Sequence, residues 1–162
     1  MKSMMLLRHA EALPATAAVA DLDRVLSNLG KRQARAQGKW LRARVWTPQA
    51  VLCSAAARAR QTAEALCAAA GWTTAMIVRE ELYNASADTM LAVLRAQARE
   101  VDRLLLVAHA PGVGELASSL TTRESDLALA CEPATLIEVC ADINDWSTLA
   151  RRCGTLHLVL PA

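Results

Sequence analysis

The 162-residue sequence has no phenylalanine, only one tyrosine, and no apolar run of the ~18 residues that a membrane span needs. Its core must therefore be built from aliphatic side chains and alanine, with four tryptophans as the large fillers. The apolar stretch near the start is too short for a signal peptide, so we expect neither export nor a membrane partner.

Cysteine pairs and metal-binding motifs are also missing. The five cysteines are odd in number and include no Cys-x-x-Cys pair, which is typical of neither a disulfide framework nor a zinc site. The three histidines form no His-x-His or His-Glu-x-x-His motif, and there is no dense aspartate cluster. The sequence predicts reduced thiols, a cytoplasmic location, no metal and no cofactor.

Charge of one sign is not in large excess. The net charge of +2 is too small to indicate a nucleic-acid partner. One stretch without acids is nevertheless strongly basic, and its cations are Lys31, Arg32, Arg35, Lys39, Arg42 and Arg44. The ordinary interpretation is a solvated helix face, and the alternative is a docking surface for an acidic protein or a phosphate-bearing ligand. The oligomeric state is left open.

Short apolar runs alternate with helical patterns along the whole chain. Strands are predicted over 4–7, 50–53, 76–78, 103–108, 134–140 and 155–160. The run over 103–108 is nearly uniformly apolar, as expected of a central parallel strand, and the last two strands are candidates for an antiparallel pair at the sheet edge. This alternation predicts one domain over residues 1–162, an α/β fold built as a three-layer α/β/α sandwich with a mostly parallel sheet.

Four amphipathic helices fill the intervals between the strands. Ser54 is expected to cap the second helix, and Pro111 to open the fourth. The predicted apolar stripes are Leu29, Ala36, Trp40 and Leu41; Ala59, Ala63, Leu66, Cys67 and Ala70; Ala87, Met90, Leu91, Leu94 and Ala98; and Val113, Leu116, Ala117 and Leu120.

Reactive and cationic side chains follow three of the predicted strands. Arg8 and His9 come after the first strand, Arg58 after the second and His109 after the central one. Ligands of open α/β sheets bind beyond the carboxyl ends of parallel strands, so these residues should surround one crevice. Guanidinium groups bind phosphate as a planar fork, and a histidine can act as a nucleophile or proton carrier. The pattern predicts a metal-free phosphoryl-transfer site.

Three segments carry a resemblance to a known family. The run Leu7-Arg8-His9-Ala10-Glu11-Ala12 resembles the Arg-His-Gly signature of the histidine phosphatase superfamily. Residues 54–64 resemble its second phosphate-binding segment, and residues 107–111 its Gly-His-Asn-Pro segment. Within that superfamily, the short length, Arg24-x-Leu26-x-x-x-Gly30 and Glu81-Leu82-Tyr83 look most like the SixA-type phosphohistidine phosphatases.

The resemblance implies a phosphoglycerate mutase-like fold and assigns roles. His9 would become phosphorylated, while Arg8, Arg58 and His109 would bind the phosphoryl oxygens. An acid near Glu81 would protonate the leaving group, with Glu80 and Asp88 as competing candidates. A protein bearing phosphohistidine is the favoured substrate, and small phosphorylated metabolites are the alternative.

Four alanines depart from the family pattern. They are Ala10 in place of Gly, Ala55 where Pro is common, Ala108 for Gly and Ala110 for Asn. None removes a phosphate ligand, but Ala10 restricts the backbone and Ala110 lacks an orienting amide. A non-catalytic phosphate-binding module is therefore a second hypothesis.

A cysteine phosphatase is a weaker rival. Cys53 precedes Arg58 on a strand-to-helix turn, where a thiolate would be stabilised. Only four residues separate the two, whereas those enzymes resemble Cys-x5-Arg. His157 lies within the last apolar strand and is predicted to be structural.

Overall fold

A six-stranded sheet forms the middle of the molecule, and its strand order is β3-β2-β4-β1-β5-β6. The structure, a computed structural model, describes residues 1–121 and 129–162. The strands are β1 (Lys2–Arg8), β2 (Ala50–Ser54), β3 (Met76–Arg79), β4 (Arg103–Ala108), β5 (Leu136–Ala141) and β6 (Gly154–Leu160). The first four are parallel, and β5 and β6 are antiparallel to their neighbours, as the sequence predicted for this edge.

Helices cover both faces of the sheet. They are α1 (Asn28–Ala43), α2 (Ala57–Ala70), α3 (Ala87–Arg95) and α4 (Gly112–Thr121). The sheet side chains that alternate to one face pack against α3 and α4, together with Trp146, and those that alternate to the other face pack against α1 and α2. The predicted α/β fold with helices on both sides of the sheet is therefore confirmed. No helix in residues 1–121 or 129–162 is both long and apolar enough to cross a membrane.

The buried face of α1 differs from the predicted stripe. Leu29 and Ala36 are exposed, while Gly30, Ala34 and Gly38 are buried. A Cβ added at Gly38 would lie 2.3 Å from a backbone oxygen of α2, so the two helices are in close backbone contact. Trp40 and Leu41 do pack into the core as predicted, so the stripe is half right, and small residues occupy the rest of the inward side.

Two helix ends also differ in detail from the prediction. The third helix ends at Arg95, so Ala98 lies beyond it and is exposed. Pro111 immediately precedes the first residue of α4, as expected for a proline at a helix start.

Strand register brings the predicted site residues to one edge of the sheet. Because β1 and β4 are parallel neighbours and Arg8 pairs with Ala108, the chain leaves both strands at the same level. His9 and His109 follow directly, and their ring centroids are 5.1 Å apart. The strand β2 lies on the other side of β4 and ends beside them at Ser54.

Candidate active site

A depression of about 470 Å³ opens at the carboxyl ends of β1, β2 and β4. Its walls hold three guanidinium groups, two carboxylates and two imidazoles. The lining residues are Arg8, His9, Glu11, Ala12, Asp21, Arg24, Arg58, Asn84, His109, Ala110 and Pro133. Cations thus exceed anions in this pocket, as an anion-binding site requires.

The His9 ring has one nitrogen available as a nucleophile. Its Nδ1 lies 2.8 Å from the carbonyl oxygen of Ala10. A carbonyl can only accept a hydrogen bond, so we assign the proton to Nδ1 and an unshared electron pair to Nε2. That pair accepts a hydrogen bond from Nε of Arg58 at 3.2 Å.

The Arg58 guanidinium connects the groups around the pocket. Besides His9, it donates to the backbone oxygen of Asp21 at 2.6 Å and to Oδ2 of Asp21 at 3.0 Å. Its Nη2 also lies 3.5 Å from Nδ1 of His109. Only 2% of Arg58 is exposed, so the cation is held in place with its donors turned toward the pocket residues.

Ser54 fixes the second imidazole rather than capping a helix. Because Arg58 can only donate, Nδ1 of His109 is the acceptor, and Nε2 then donates to Oγ of Ser54 at 2.7 Å. The residue at the start of α2 is Ala56, which provides no side-chain cap. The predicted Ser54 cap is wrong because Ser54 lies two residues before the N-cap position, where its hydroxyl accepts from His109 and, at 3.4 Å, from the backbone N–H of Ala56.

Arg8 reaches the pocket from the end of β1. Its Nη1 donates to the carbonyl oxygen of Cys131 at 2.6 Å, which anchors the guanidinium group. Within the described residues, its buried Nε has no hydrogen-bond partner. The structure thus brings Arg8, His9, Arg58 and His109 together, in the arrangement that the strand ends predicted.

A threonine on α2 aligns the nucleophile with its neighbouring cation. Oγ1 of Thr62 accepts from the backbone N–H of Ala10 at 3.0 Å and donates to the carbonyl oxygen of Arg58 at 2.7 Å. Thr62 is fully buried, so this link between the loop after β1 and the first turn of α2 is protected from water.

Burial and nearby cations keep His9 neutral. Burial, which is the largest cause, and the positive charges of Arg58 and Arg8 together lower the pKa of His9 to about 4, against the opposing effect of the Ala10 carbonyl. The pKa of His109 is lowered to about 3, again chiefly by burial, with the neighbouring His9 and Arg58 contributing.

We therefore expect NMR titration of the imidazole nitrogens to give His9 a midpoint near pH 4 in the folded protein. Above that pH the ring is neutral and nucleophilic, and below it the ring is protonated and inactive. Arg58→Ala should move the midpoint upward, toward the ordinary value of about 6.5, because a repelling positive charge is removed. A midpoint of about 6.5 in the unmodified protein would show that the ring is solvated.

The acid implied near residue 81 is not among the pocket residues. Glu81 is exposed, and its carboxylate lies 3.9 Å from Nη1 of Arg79 on a separate shallow depression. Glu80 is exposed on the same short 3₁₀ helix, and Asp88 pairs with Arg151 at 2.7 Å. None of these three acids lines the pocket that contains His9.

His157, the remaining histidine, lies on β6 and also takes no part in the pocket. Its side chain is exposed, so it does not fill the core as a structural histidine would.

Sequence patterns did not identify Asp21, which is the acid that contacts the arginines of the pocket. Asp21 accepts hydrogen bonds from the Tyr83 hydroxyl at 2.6 Å, from Arg58 at 3.0 Å and from Nε of Arg24 at 2.9 Å. The Tyr83 hydroxyl, followed by these two arginines, holds the pKa of Asp21 well below its usual range. Asp21 is therefore ionised and neutralises part of the charge of Arg58.

A second pocket acid, Glu11, joins the site to the start of α1. Its Oε1 accepts a 2.6 Å hydrogen bond from the hydroxyl of Ser27, which is also the N-cap of α1. A Cβ added at Gly30 would lie 2.0 Å from the backbone oxygen of Glu11, so only glycine permits this close approach. A Glu followed by a Ser sixteen residues later was too weak a signal to find this contact.

Two of the doubts raised by the sequence can be compared with the geometry. Ala10 is buried in a small cluster with Leu26, Ala34 and Ala134, and it is not among the described residues with positive φ, so the backbone accepts alanine there. Burial raises the pKa of the Cys53 thiol to about 12, which disfavours the thiolate that a cysteine phosphatase needs.

Within the described residues, no group of three or more His, Cys, Asp or Glu side chains could hold a metal ion.

Known proteins share this fold and these segments. The profile of the histidine phosphatase superfamily (branch 1) matches residues 4–127. An uncharacterised protein of Mycobacterium leprae is 38% identical over 103 residues, which are 64% of this chain and 62% of that protein.

Solved structures extend the similarity to nearly the full length. A protein from Nakamurella multipartitia assigned as the phosphohistidine phosphatase SixA has a TM-score of 0.85 and 30% identity, covering 99% of this chain and 95% of its own. The protein histidine phosphatase SixA complexed with tungstate has a TM-score of 0.82 and 25% identity, covering 98% and 96%. The profile match spans well over half of the chain, and the fold agrees throughout, so the protein is a phosphatase that belongs to the histidine phosphatase superfamily and is SixA-like in structure.

Proposed function

We propose that the protein hydrolyses phosphohistidine in a protein substrate, and that His9 carries the phosphoryl group between two transfer steps. One observation carries this proposal: the unprotonated Nε2 of His9 is held by Arg58 inside a pocket where cations exceed anions. An imidazole nitrogen kept neutral among guanidinium groups is poised to attack phosphorus rather than to bind a proton.

The reaction consists of two displacements. In the first, Nε2 of His9 attacks phosphorus, the P–N bond to the substrate imidazole breaks, and the protonated substrate ring leaves as neutral imidazole. In the second, water attacks the phosphorus on His9, the new P–N bond breaks, and both water protons leave with the phosphate, as dihydrogen phosphate. His9 is then regenerated, and no other co-reactant is consumed.

Arg8, Arg58 and His109 would hold the phosphoryl oxygens through both steps. Two outer N–H groups of Arg58 now bond to Asp21, and a phosphoryl dianion would compete with that carboxylate for the same donors. A bound dianion also favours the protonated form of His109, whose Nδ1 could then donate to an oxygen. The start of α4 lies beside Ala110 and adds the positive end of its dipole.

The pocket acids favour a substrate with a good leaving group. Asp21 is ionised and already accepts three side-chain hydrogen bonds, and Glu11 accepts one from Ser27. An alkoxide needs a proton as it departs, whereas a protonated imidazole leaves without such help. Phosphohistidine suits this pocket better than an alkyl phosphate does.

Two further observations support the proposal. A SixA structure of the same fold is complexed with tungstate, which is an oxyanion like phosphate. The five cysteines are free thiols, which supports a reducing compartment such as the cytoplasm.

The leaving group should therefore decide the rate. We expect kcat/KM for a phosphohistidine peptide and for p-nitrophenyl phosphate to exceed that for glycerol phosphate by ~10² or more, because only the last substrate needs a general acid. Glu81→Gln and Glu11→Gln should each change all three values by less than about threefold. The measurement is steady-state release of phosphate from each substrate.

Three results would contradict parts of this assignment. A loss confined to glycerol phosphate in Glu81→Gln or Glu11→Gln would identify that residue as the missing acid. Efficient hydrolysis of glycerol phosphate by the unmodified protein would favour a small-molecule phosphomonoesterase. Vanadate binding without turnover of any substrate would indicate the non-catalytic phosphate-binding module.

A further inference from the structure

One side of α1 forms a continuous basic surface that the proposed catalysis does not use. The helix contains no acidic residue, and the cations Lys31, Arg32, Arg35, Lys39 and Arg42 are all exposed. At 100° per residue they fall within a single arc of roughly 100°, whose centre is about 120° from the centre of the buried face. We call these five residues the basic face; within the described residues none of them forms an ion pair.

This arrangement does not stabilise the isolated helix. Lys31, Arg35 and Lys39 are spaced four residues apart, and like charges at that spacing repel one another. Cations near the start of a helix also oppose its dipole, and the first turn of α1 has no acid to compensate. Packing and intrahelical pairing therefore do not explain the basic face, whereas an acidic partner would relieve its repulsion.

The basic face begins at the wall of the active-site pocket. Ser27, the N-cap of α1, is hydrogen-bonded to Glu11, a pocket residue. From there the sixteen residues of α1 extend for about 24 Å at 1.5 Å per residue. A partner whose phosphohistidine enters the pocket could therefore lie along the helix.

Exposed apolar side chains lie in the segment between the pocket and α1. Residues 12–26 are closed by a bridge between Ala12 and Leu26, and they contribute Asp21 and Arg24 to the pocket. This segment, which we call the apolar rim, exposes the large side chains Leu13, Val19, Leu22 and Val25, each by 38–47%. An apolar patch beside a charged surface is typical of a protein-binding site.

We propose that the basic face and the apolar rim together dock an acidic surface of the protein that bears the substrate phosphohistidine. The partner surface would place carboxylates opposite α1 and one or more apolar side chains opposite the rim. This inference rests on the proposed function, because it assumes that the phosphoryl group arrives on a protein.

Protein fits this surface better than nucleic acid or a membrane. Sites for single-stranded nucleic acid combine cations with aromatic side chains on which bases stack, but Trp40, the aromatic residue of α1, is covered by Arg44 at 5.0 Å from its ring. A membrane-binding helix presents its apolar face to lipid, whereas the apolar face of α1 is packed against α2.

Two synthetic phosphohistidine peptides test the proposal. They share a central Leu-phosphohistidine-Leu segment and differ only in flanks of glutamate or lysine. Binding is measured by fluorescence anisotropy and turnover by phosphate release. At low salt the unmodified protein should bind the glutamate peptide about tenfold more tightly or better, because several surface ion pairs add.

The variant R35E/K39E should abolish or invert that preference. The control R99E/R103E changes the charge by the same amount at the opposite end of β4, away from the pocket, and should keep it. Circular dichroism establishes that both variants are folded, and turnover of p-nitrophenyl phosphate normalises their activity.

Each remaining outcome distinguishes docking from catalysis. An equal preference for the glutamate peptide in R35E/K39E and the unmodified protein would overturn the docking surface. Tighter binding of a single-stranded DNA oligomer than of the glutamate peptide, with loss in R35E/K39E, would overturn it in favour of nucleic acid. Peptide binding that follows the charge pattern, without phosphohistidine turnover, would support the docking surface and refute the proposed reaction.

Discussion

His9→Ala should lower kcat/KM on every substrate by ~10³ or more, because the variant lacks the atom to which phosphorus is transferred. In the unmodified protein, a substrate with radioactive phosphate should label His9 during turnover. The label must be trapped in alkaline denaturant, since phosphohistidine hydrolyses in acid. Mass spectrometry of the labelled peptide should then place the phosphate on the His9 ring.

Cys53→Ala is the control for this experiment. The buried Cys53 thiol has its pKa raised to about 12, so its removal should leave both the label and the rate in place. Phosphate found on Cys53, or full activity in His9→Ala, would disprove the role of His9 as nucleophile.

Arg58→Ala should lower kcat/KM by ~10² or more, and Arg8→Ala by a similar factor, because each removes a cation from the transferring phosphoryl group. Arg58 should also matter through its bond to His9, so Arg58→Lys should recover only part of the loss: lysine keeps the charge but lacks the planar fork. The inhibition constant of vanadate should rise in both alanine variants. These changes are measured by steady-state kinetics at neutral pH.

Arg60→Ala provides a matched control on the same helix. Arg60 is two residues from Arg58, carries the same charge and is exposed outside the pocket lining. Its replacement should change kcat/KM by less than about twofold. Equal losses in Arg58→Ala and Arg60→Ala would mean that general charge, rather than a specific contact, supports the reaction.

The sequence predicted that Arg8, His9, Arg58 and His109 lie close together because strand ends are simple to locate in this sequence. Uniform apolar runs stop at Arg8 and at His109, and parallel pairing of β1 with β4 places those two stops side by side. Arg58 follows because β2 pairs with the other edge of β4. The extent of a single domain over residues 1–162 stays a prediction, as do the catalytic roles of these residues.

The parts that sequence patterns missed depend on contacts between distant loops. Asp21 and Tyr83 lie in non-periodic segments that meet only across the pocket, where a 2.6 Å hydrogen bond joins them. The sequence pattern around either residue gives no signal that predicts such a contact. Glu81 was implied by resemblance, but the short 3₁₀ helix that places Leu82 in the core leaves Glu81 in solvent.

The inward side of α1 was predicted incorrectly at Leu29 because it, too, depends on contact with another element. Leu29 was assigned to the inner face of α1 because it is apolar, whereas the close approach of α1 to α2 requires small residues such as Gly38. Side-chain size, rather than hydrophobicity, decided the orientation. As a result Leu29, a large apolar side chain near the start of α1, is 41% exposed.

The position of β1 in the sheet has a consequence for biosynthesis. Met4 pairs with Leu104 on one side and with Val139 on the other. More than ninety further residues must therefore be synthesised before β1 can pair with either neighbouring strand. At ordinary translation speeds that interval is on the order of 10 s. During it, an apolar strand with two unpaired edges is open to chaperones and to other nascent chains. A ribosome that stalls before β5 therefore releases a product that contains the nucleophile and yet is expected to aggregate rather than catalyse.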